Sequence, residues 1–589
     1  MAKTLRKLCA SRWGRCLVGA IFAALLLLLI RAGYTVTFLT NDDTNILHTL
    51  AGDFTGTPEV SHPFINLLLG GVVSVCYSVM PGISWWLLFH LGALFFSLTA
   101  ITACLIKGFL NRKLPLWMPF AAAFSLSAIQ YAYCVIQMAF TLTSSMLGSA
   151  ALAMILTYGM DRRDITRPFW AIAAILFFAA GAIAFRNSSG IALFPFWALG
   201  ILYRILTVHK DMPSLFRKRA RVLTALLGVL ILVVGLGVTG VHSWSLAYIN
   251  GEEFVAFDAA RSRFMDYPRD TYEENPTLYE AVGWDETLYD LAVARFFMDE
   301  RINTETLNYI GENSSFQQQS FGERVACGLR LGMETVRGNG QILYCLVPML
   351  LTLLIAGLGF FRRWDRTHLV PFAACCLFAL GGFFLTLYLC YTGRFPLRTF
   401  FLLAYPTQIG LIFTCLPLVE GRCALGAHLT RKRRFINLGL TGLVFLSLFW
   451  SVFSTKGALD TVKPGRTLRT SRTLYQYVLD HPTNVYFRHP LIGYDIDPYI
   501  TYATKKPSNL IEWGGTGMHS AYQKKQLFIN GIDSLTPDVF RRSDVYLVML
   551  HEGDPLFESY MQNEYGALYL EEVEVISSTL SVYRVIFPE

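Results

Sequence analysis

Charge is scarce in this 589-residue chain: only 16% of its residues are Asp, Glu, Lys or Arg, against about 25% in an ordinary soluble domain. A disulfide framework is missing too. The 12 cysteines fall mostly inside apolar runs, as Cys104, Cys134, Cys375 and Cys390 do. The polar stretch over 243–340 holds only Cys327, and the residues after 454 hold none. No CxxC spacing points to a metal site, and the adjacent Cys375-Cys376 reads as packed thiols. GxxxxGK[ST], HExxH and GxSxG are absent, so nucleotide-driven transport and hydrolysis of those types lose support. Gly514-Gly515 is a turn signal without the Lys of a phosphate loop. There is no internal repeat and no low-complexity segment. No inverted pair of Gly/Pro-broken helices stands out, which weakens a secondary-transporter reading.

What is abundant is apolar surface. Hydrophobic residues make up 53% of the chain and gather in runs of about 17–24, long enough to cross a bilayer as helices. The runs lack the alternation of barrel strands, and lipid satisfies no free backbone group, so helix is the expectation. Candidate spans cover about 15–34, 84–106, 116–135, 141–159, 169–185, 191–207, 222–242, 341–361, 369–391, 399–418 and 436–454. The basic start and apolar stretch of the N-terminus resemble a signal peptide. The stretch is long and no A-x-A site follows, so it is read as a retained first helix.

The net charge of +8 lies in the joints between spans, which removes the case for nucleic acid. Lys3, Arg6, Lys7, Arg12 and Arg15 precede or open the first span. Alternate joints then carry Lys107/Arg112/Lys113, Arg162/Arg163/Arg167, Lys210/Arg217/Lys218/Arg219/Arg221, Arg362/Arg363/Arg366 and Arg431/Lys432/Arg433/Arg434. The joints between them hold chiefly Arg186, Arg394 and Arg398. The positive-inside rule makes the basic side cytoplasmic. This holds only if the apolar segment 62–80 does not span. Pro63, Gly70, Gly71 and Pro81-Gly82 favour a surface or re-entrant segment. The expected fold is a polytopic α-helical membrane protein with about 11 transmembrane helices over residues 1–454. A C-terminal extracytoplasmic α/β domain follows over 455–589. A first outer loop over about 35–83 and a large one over about 243–340 share its side. In the tail, TNVYF, DVYLVML, VEVIS and SVYRVIF read as strands. TLYQYVLD, AYQKKQLFI and LFESYMQNEY read as helices.

Thr40-Asn41-Asp42-Asp43 follows the first span. Two adjacent carboxylates at a membrane surface can take a proton from a hydroxyl or hold a divalent cation such as Mg or Mn, given tuning by burial and by each other. The plainer alternative is a helix start, with Thr40 or Asn41 as cap and the acids in the first turn. If the pair is functional, both acids should open into one outer cavity lined by at least one of Arg186, Arg394 and Arg398.

A cytoplasmic N-terminus, one span, and an acidic pair opening a long outer loop resemble the GT-C superfamily of membrane glycosyltransferases. The motif is Asn41-Asp42-Asp43 with His62-Pro63 before an amphipathic surface stretch. Lipid A aminoarabinose transferases and protein O-mannosyltransferases have a similar layout. The resemblance implies a GT-C-like fold and a sugar on polyprenyl phosphate as donor. It implies Asp42 or Asp43 as catalytic base and an envelope glycan or lipid as acceptor, at the outer face of a bacterial plasma membrane. Membrane lipids are the other partners. Inversion at the anomeric carbon also comes from the resemblance alone.

A leaving phosphate suits a guanidinium. Arg394, Arg398 and Arg186 are the outward candidates, with snorkelling to lipid headgroups as the alternative. His62 and Asn41 are candidate substrate contacts, although His62 can equally cap the surface helix. Asp258 and Arg261 are expected to form a local salt bridge. Trp284 and Trp513 are expected to be packing anchors rather than sugar platforms. Asn187-Ser188-Ser189 and Asn313-Ser314-Ser315 match a sequon frequent by chance. Three other functions share this layout: a flippase or transporter of lipid-linked sugars, an envelope polymerase or ligase, and a non-catalytic scaffold. Transport predicts ionisable groups midway along spans. These spans are nearly free of them, which favours transfer.

Overall fold

The computed structural model describes residues 2–126, 130–361, 366–419, 467–489, 492, 497–566 and 568–587. The expected span at 436–454, the joint Arg431–Arg434, the side chains of Arg362, Arg363 and Arg366, and the boundary near 454 lie outside the described residues or side chains. Eight of the described helical stretches are long and apolar enough to cross a membrane. They follow the expected runs, from Arg12–Gly33 and Trp85–Asn111 to Arg366–Tyr391 and Leu397–Val419. Two further expected spans appear as shorter apolar helices, Trp117–Leu126 and Phe169–Phe185.

Phe140–Thr157 runs through the middle of the bundle, buried on nearly every side. Its small residues permit that. Ser144 donates to the Ala182 carbonyl at 2.7 Å and Ser145 to that of Leu402 at 3.0 Å. The Trp197 indole N–H reaches the Gly148 carbonyl at 2.9 Å. Small and hydroxyl residues replace the hydrophobic drive that lipid cannot supply between helices.

Residues 62–80 form a helix only over Leu67–Val79. Its 13 residues reach about 20 Å, short of the ~30 Å hydrocarbon layer. The Asn66 side chain caps it by accepting from Leu68 N–H and donates to the Val238 carbonyl at 2.7 Å. Asn66 N–H bonds the Ala184 carbonyl. The segment therefore sits against the ends of two spans, Phe169–Phe185 and Arg217–Ser245. Gly70 allows its close return on the Val60 carbonyl, which a Cβ would meet at 2.3 Å.

The joints sort into two ends. At one end, Arg15 pairs with Asp161 at 2.5 Å, Lys107 with Asp164 at 2.6 Å, and Arg112 and Arg204 with Asp211 at 3.3 and 2.9 Å. Arg162 lies over Phe216 and Lys210 bonds the Thr367 carbonyl. At the other end lie the first loop, the large loop and the tail.

All four expected tail strands form, β3 (Val485–Arg488), β5 (Val545–Leu550), β6 (Tyr569–Val575) and β7 (Leu580–Ile586), numbered after a two-residue pair described below. An unexpected edge strand, β4 (Leu510–Glu512), joins them; its three residues carry no readable alternation. The order is β4-β3-β5-β7-β6, parallel for the first three and antiparallel from β5 onward. The three expected tail helices form at Thr467–Asp480, Ala521–Ile529 and Pro555–Tyr565. The sheet shares one core with the large loop: Phe257, Phe264, Trp284 and Phe296 pack with Trp513, Phe557 and Tyr560. Trp284 and Trp513 are each 1% exposed, the anchors their surroundings suggested.

Candidate active site

The first span ends at Gly33, and the chain enters β1 (Thr37–Phe38), which pairs in parallel with β2 (Gln137–Met138). Leu39 N–H continues that ladder to the Met138 carbonyl at 2.8 Å. The pairing pins the next helix, Asn41–Ala51, beside the N-terminus of Phe140–Thr157. Thr40 stands at its N-cap with Asp42 and Asp43 in its first turn, so the helix-start reading is realised, though Thr40 caps no backbone N–H.

Successive helical residues point about 100° apart, and here that separates the two acids. Asp43 is fully buried. Its Oδ1 accepts from Phe140 N–H at 3.0 Å, satisfying one of the orphan donors of that helix start. Its Oδ2 accepts from Thr40 Oγ at 3.4 Å. His90 Nε2 lies 3.4 Å from Oδ1 but is poorly aligned for a hydrogen bond, and its Nδ1 meets Thr143 Oγ at 2.7 Å. Burial pushes the Asp43 carboxyl up, opposed by His90 and the Phe140 amide. Asp42 turns the other way. Its Oδ2 lies 3.3 Å from Arg398 Nη1, with the two side chains 19% and 16% exposed. The expectation that both acids open into one cavity is corrected: the buried helix start claims Asp43, and only Asp42 keeps exposed surface. A shared cation does not fit this pair, since both Asp43 oxygens accept from protein donors and Asp42 faces a guanidinium.

Three arginines from two separate loops gather at Asp42. Arg186 sits in extended conformation between two spans. It lies over the Phe140 ring at 4.7 Å and donates to Thr141 Oγ at 2.5 Å. The charges of Arg398, Asp42, Arg394 and Asp43 all act on it. Arg394 follows Gly393, whose φ of +79° turns the chain, and meets Asp266 at 3.1 Å. Arg398 occupies the first turn of Leu397–Val419. A cation there opposes the helix dipole. Among the described residues Asp42 and Asp266 are the carboxylates paired with this group, Asp43 being buried behind it, so three guanidiniums against two paired acids leave a positive excess suited to an anion.

Asn41 begins the helix beside Asp42 and is half-buried. His62 departs from expectation. It is 2% exposed, and Asn66, not His62, caps the surface helix. Its Nε2 lies 3.3 Å from Asn45 Oδ1, which also accepts from Tyr522 of the tail at 3.4 Å, and its ring stacks on Tyr522. The anticipated substrate contact thus becomes a packing contact between first loop and tail, because Tyr522 covers the imidazole. Burial lowers the His62 pKa to about 3. Lys506 completes the docking: it meets Asp53 at 3.0 Å, and Asp53 also holds His48 at 2.7 Å. Asp258 and Arg261 form the expected local salt bridge at 2.6 Å.

A cavity of about 540 Å³ lies beside this group, lined by Pro63, Leu246, Phe254, Asp258, Arg263 and Tyr267 among others. Neither Asp42 nor the three arginines line it. Tyr267 links the two, with Arg394 5.9 Å over its ring. Sequence reasoning missed His90, Asn45 and Tyr522. His90 left a signal, as the lone histidine inside an apolar span; Tyr522 left none.

No protein-family model and no curated protein matches the chain. Two solved structures of ArnT from Cupriavidus metallidurans, one bound to undecaprenyl phosphate and one in the apo state, are similar to it. Each comparison covers 96% of this chain and 97% of that one at 13% identity, with TM-scores of 0.38 and 0.41. A likeness of that degree says nothing of what this chain binds.

Proposed function

We propose that the chain is a membrane glycosyltransferase. It moves a hexosyl or pentosyl group from a polyprenyl-phosphate donor to a hydroxyl of an envelope glycan or lipid, on the outer face of a bacterial plasma membrane. The N-terminus is cytoplasmic, and the tail beyond about 454 is an extracytoplasmic α/β domain. The observation that carries the reading is Asp42, partly exposed and within 3.3 Å of Arg398, amid an arginine group with excess positive charge. A base and an anion cradle side by side are what transfer from a sugar phosphate to a hydroxyl requires.

In this mechanism Asp42 takes the proton from the acceptor hydroxyl as its oxygen attacks the anomeric carbon. The bond to the phosphate oxygen breaks, and configuration inverts. Arg398, Arg394 and Arg186 hold the leaving phosphate, whose charge grows as the bond lengthens. Phosphate leaves without a general acid, so a second acid is not needed. Asp43 fixes the helix that aims Asp42, and Asn41 contacts substrate.

The test is acceptor-dependent release of polyprenyl phosphate by the full chain in nanodiscs, using a panel of synthetic polyprenyl-phosphate sugars. Release with at least one donor is expected. Movement of the donor across a liposome bilayer with no release of phosphate from any donor would replace transfer by transport.

A further inference from the structure

The first span ends in a feature the proposed transfer reaction does not use. Arg31 lies in its last turn. Beyond it the chain is extended, and a cavity of about 260 Å³ opens between this stretch and the tail. Arg31, Thr35 and Thr37 line it from the span side; Arg472, Asp497 and Tyr499 line it from the tail. Asp497 is ion-paired with Arg472. Among the described residues Arg31 has no carboxylate partner. Its guanidinium lies 5.0 Å over the Tyr499 ring. The cavity therefore holds one uncompensated cation, steadied by an aromatic face.

What reaches that cation follows from the helix below it. Leu25, Leu28 and Leu29 are 57%, 66% and 70% exposed, an apolar stripe one to two turns beneath Arg31. On a membrane span such a stripe faces acyl chains. An arginine directly above it, at the span's end, sits at the depth of lipid phosphates.

We infer that this cavity is a binding site for one anionic glycerophospholipid. Its acyl chains lie on the leucine stripe, and Arg31 holds its phosphate between the first span and the tail. The lipid ties the tail to the bilayer just ahead of the helix that carries Asp42. An anionic headgroup is favoured over a zwitterionic one because Asp497, the carboxylate lining the cavity among the described residues, is already paired with Arg472 and not left to answer a choline. The site is separate from the arginine group at Asp42, and its occupancy does not depend on the transfer reaction.

The test uses the full chain taken from nanodiscs of phosphatidylcholine doped with phosphatidylglycerol. Retained lipid is counted by native mass spectrometry. One phosphatidylglycerol per chain should survive detergent exchange. Arg31→Gln should weaken its retention at least about tenfold, the equivalent of one lost charge-assisted contact. Arg163→Gln, at the opposite end of the bundle, should leave it unchanged. Tyr499→Leu should weaken it less than Arg31→Gln does. Equal retention in Arg31→Gln would overturn the inference. So would displacement of the retained lipid by equimolar polyprenyl phosphate, which would make the site the donor's, or by inorganic phosphate, which would make the lipid incidental. Because Arg31 is exposed, its replacement leaves packing intact; an unchanged thermal midpoint checks this.

Discussion

The two ends of the helical bundle use the same side chains to opposite effect. At one end, among the described residues, the inner cations are tied into ion pairs between helices: Arg15 with Asp161, Lys107 with Asp164, and Arg112 and Arg204 sharing Asp211. Arg204 is fully buried and also donates to the Tyr158 carbonyl at 3.0 and 2.7 Å. Those charges are spent on joining helices. At the other end Arg186, Arg394 and Arg398 crowd together, Arg398 sits against a helix dipole, and among the described residues their ion-pair partners are Asp42, with Arg398, and Asp266, with Arg394. Like charges held together cost stability, and that cost is worth bearing where an anion will arrive. Cations paired between helices mark structure, and cations clustered around one partly exposed acid mark the site.

The largest expected effect tests the arginine group itself. Replacing Arg186, Arg394 and Arg398 together by Gln should lower turnover roughly a thousandfold or more, since a single electrostatic donor is worth about 10²–10³. The thermal midpoint should hold or rise, because repulsion is relieved. A fall in stability with unchanged turnover would erase the contrast between the ends.

Next in size is the end whose cations are tied into ion pairs. Arg204→Met strands Asp211 with only Arg112 and should cost about 3–5 kcal/mol, the usual result of breaking a buried pair. Thermal unfolding in detergent measures it. Transfer per folded molecule should stay at the wild-type level.

The effect confined to acid pH, smallest near neutrality, concerns the contact between first loop and tail. His62 is held neutral, with its pKa lowered to about 3. A base whose folded pKa is depressed contributes its full stability above about 6.5 and loses it as pH falls from there toward 3. Wild-type protein should therefore lose stability on acidification by roughly tenfold in the folding equilibrium per pH unit in that window. His62→Gln, which keeps a partner for Asn45, should flatten that slope. A slope identical in the variant would place the acid sensitivity elsewhere.

Much of this was legible in the chain. Spans follow from run length, and the demotion of 62–80 followed from the charge rule; Leu67–Val79 proves too short to cross. The tail strands carry short runs or alternations of apolar and β-branched residues, longest in Val545–Leu550, and all four formed; Leu510–Glu512 was too short to register. The acid pair and the arginines were found by placement. What the sequence hid was orientation. The parallel pairing of Thr37–Phe38 with Gln137–Met138, about a hundred residues away, decides which acid is buried, and no local pattern encodes that partner. The burial of His62 is hidden for the same reason, since Tyr522 lies 460 residues further along.

The measurement that bears most directly on the site is a side-by-side comparison of Asp42→Asn and Asp43→Asn, each in turnover and in thermal midpoint. Asp42→Asn should lose about 10²–10⁴ in acceptor-dependent transfer, the worth of a general base, with a wild-type midpoint. Asp43→Asn should keep most of its turnover per folded molecule and lose stability, because its amide can still accept from the Phe140 N–H but loses the charge favoured at a helix start and sets an NH2 where Oδ2 accepts from Thr40. Wild-type transfer in Asp42→Asn, or the reverse division of effects between the two acids, would contradict the account.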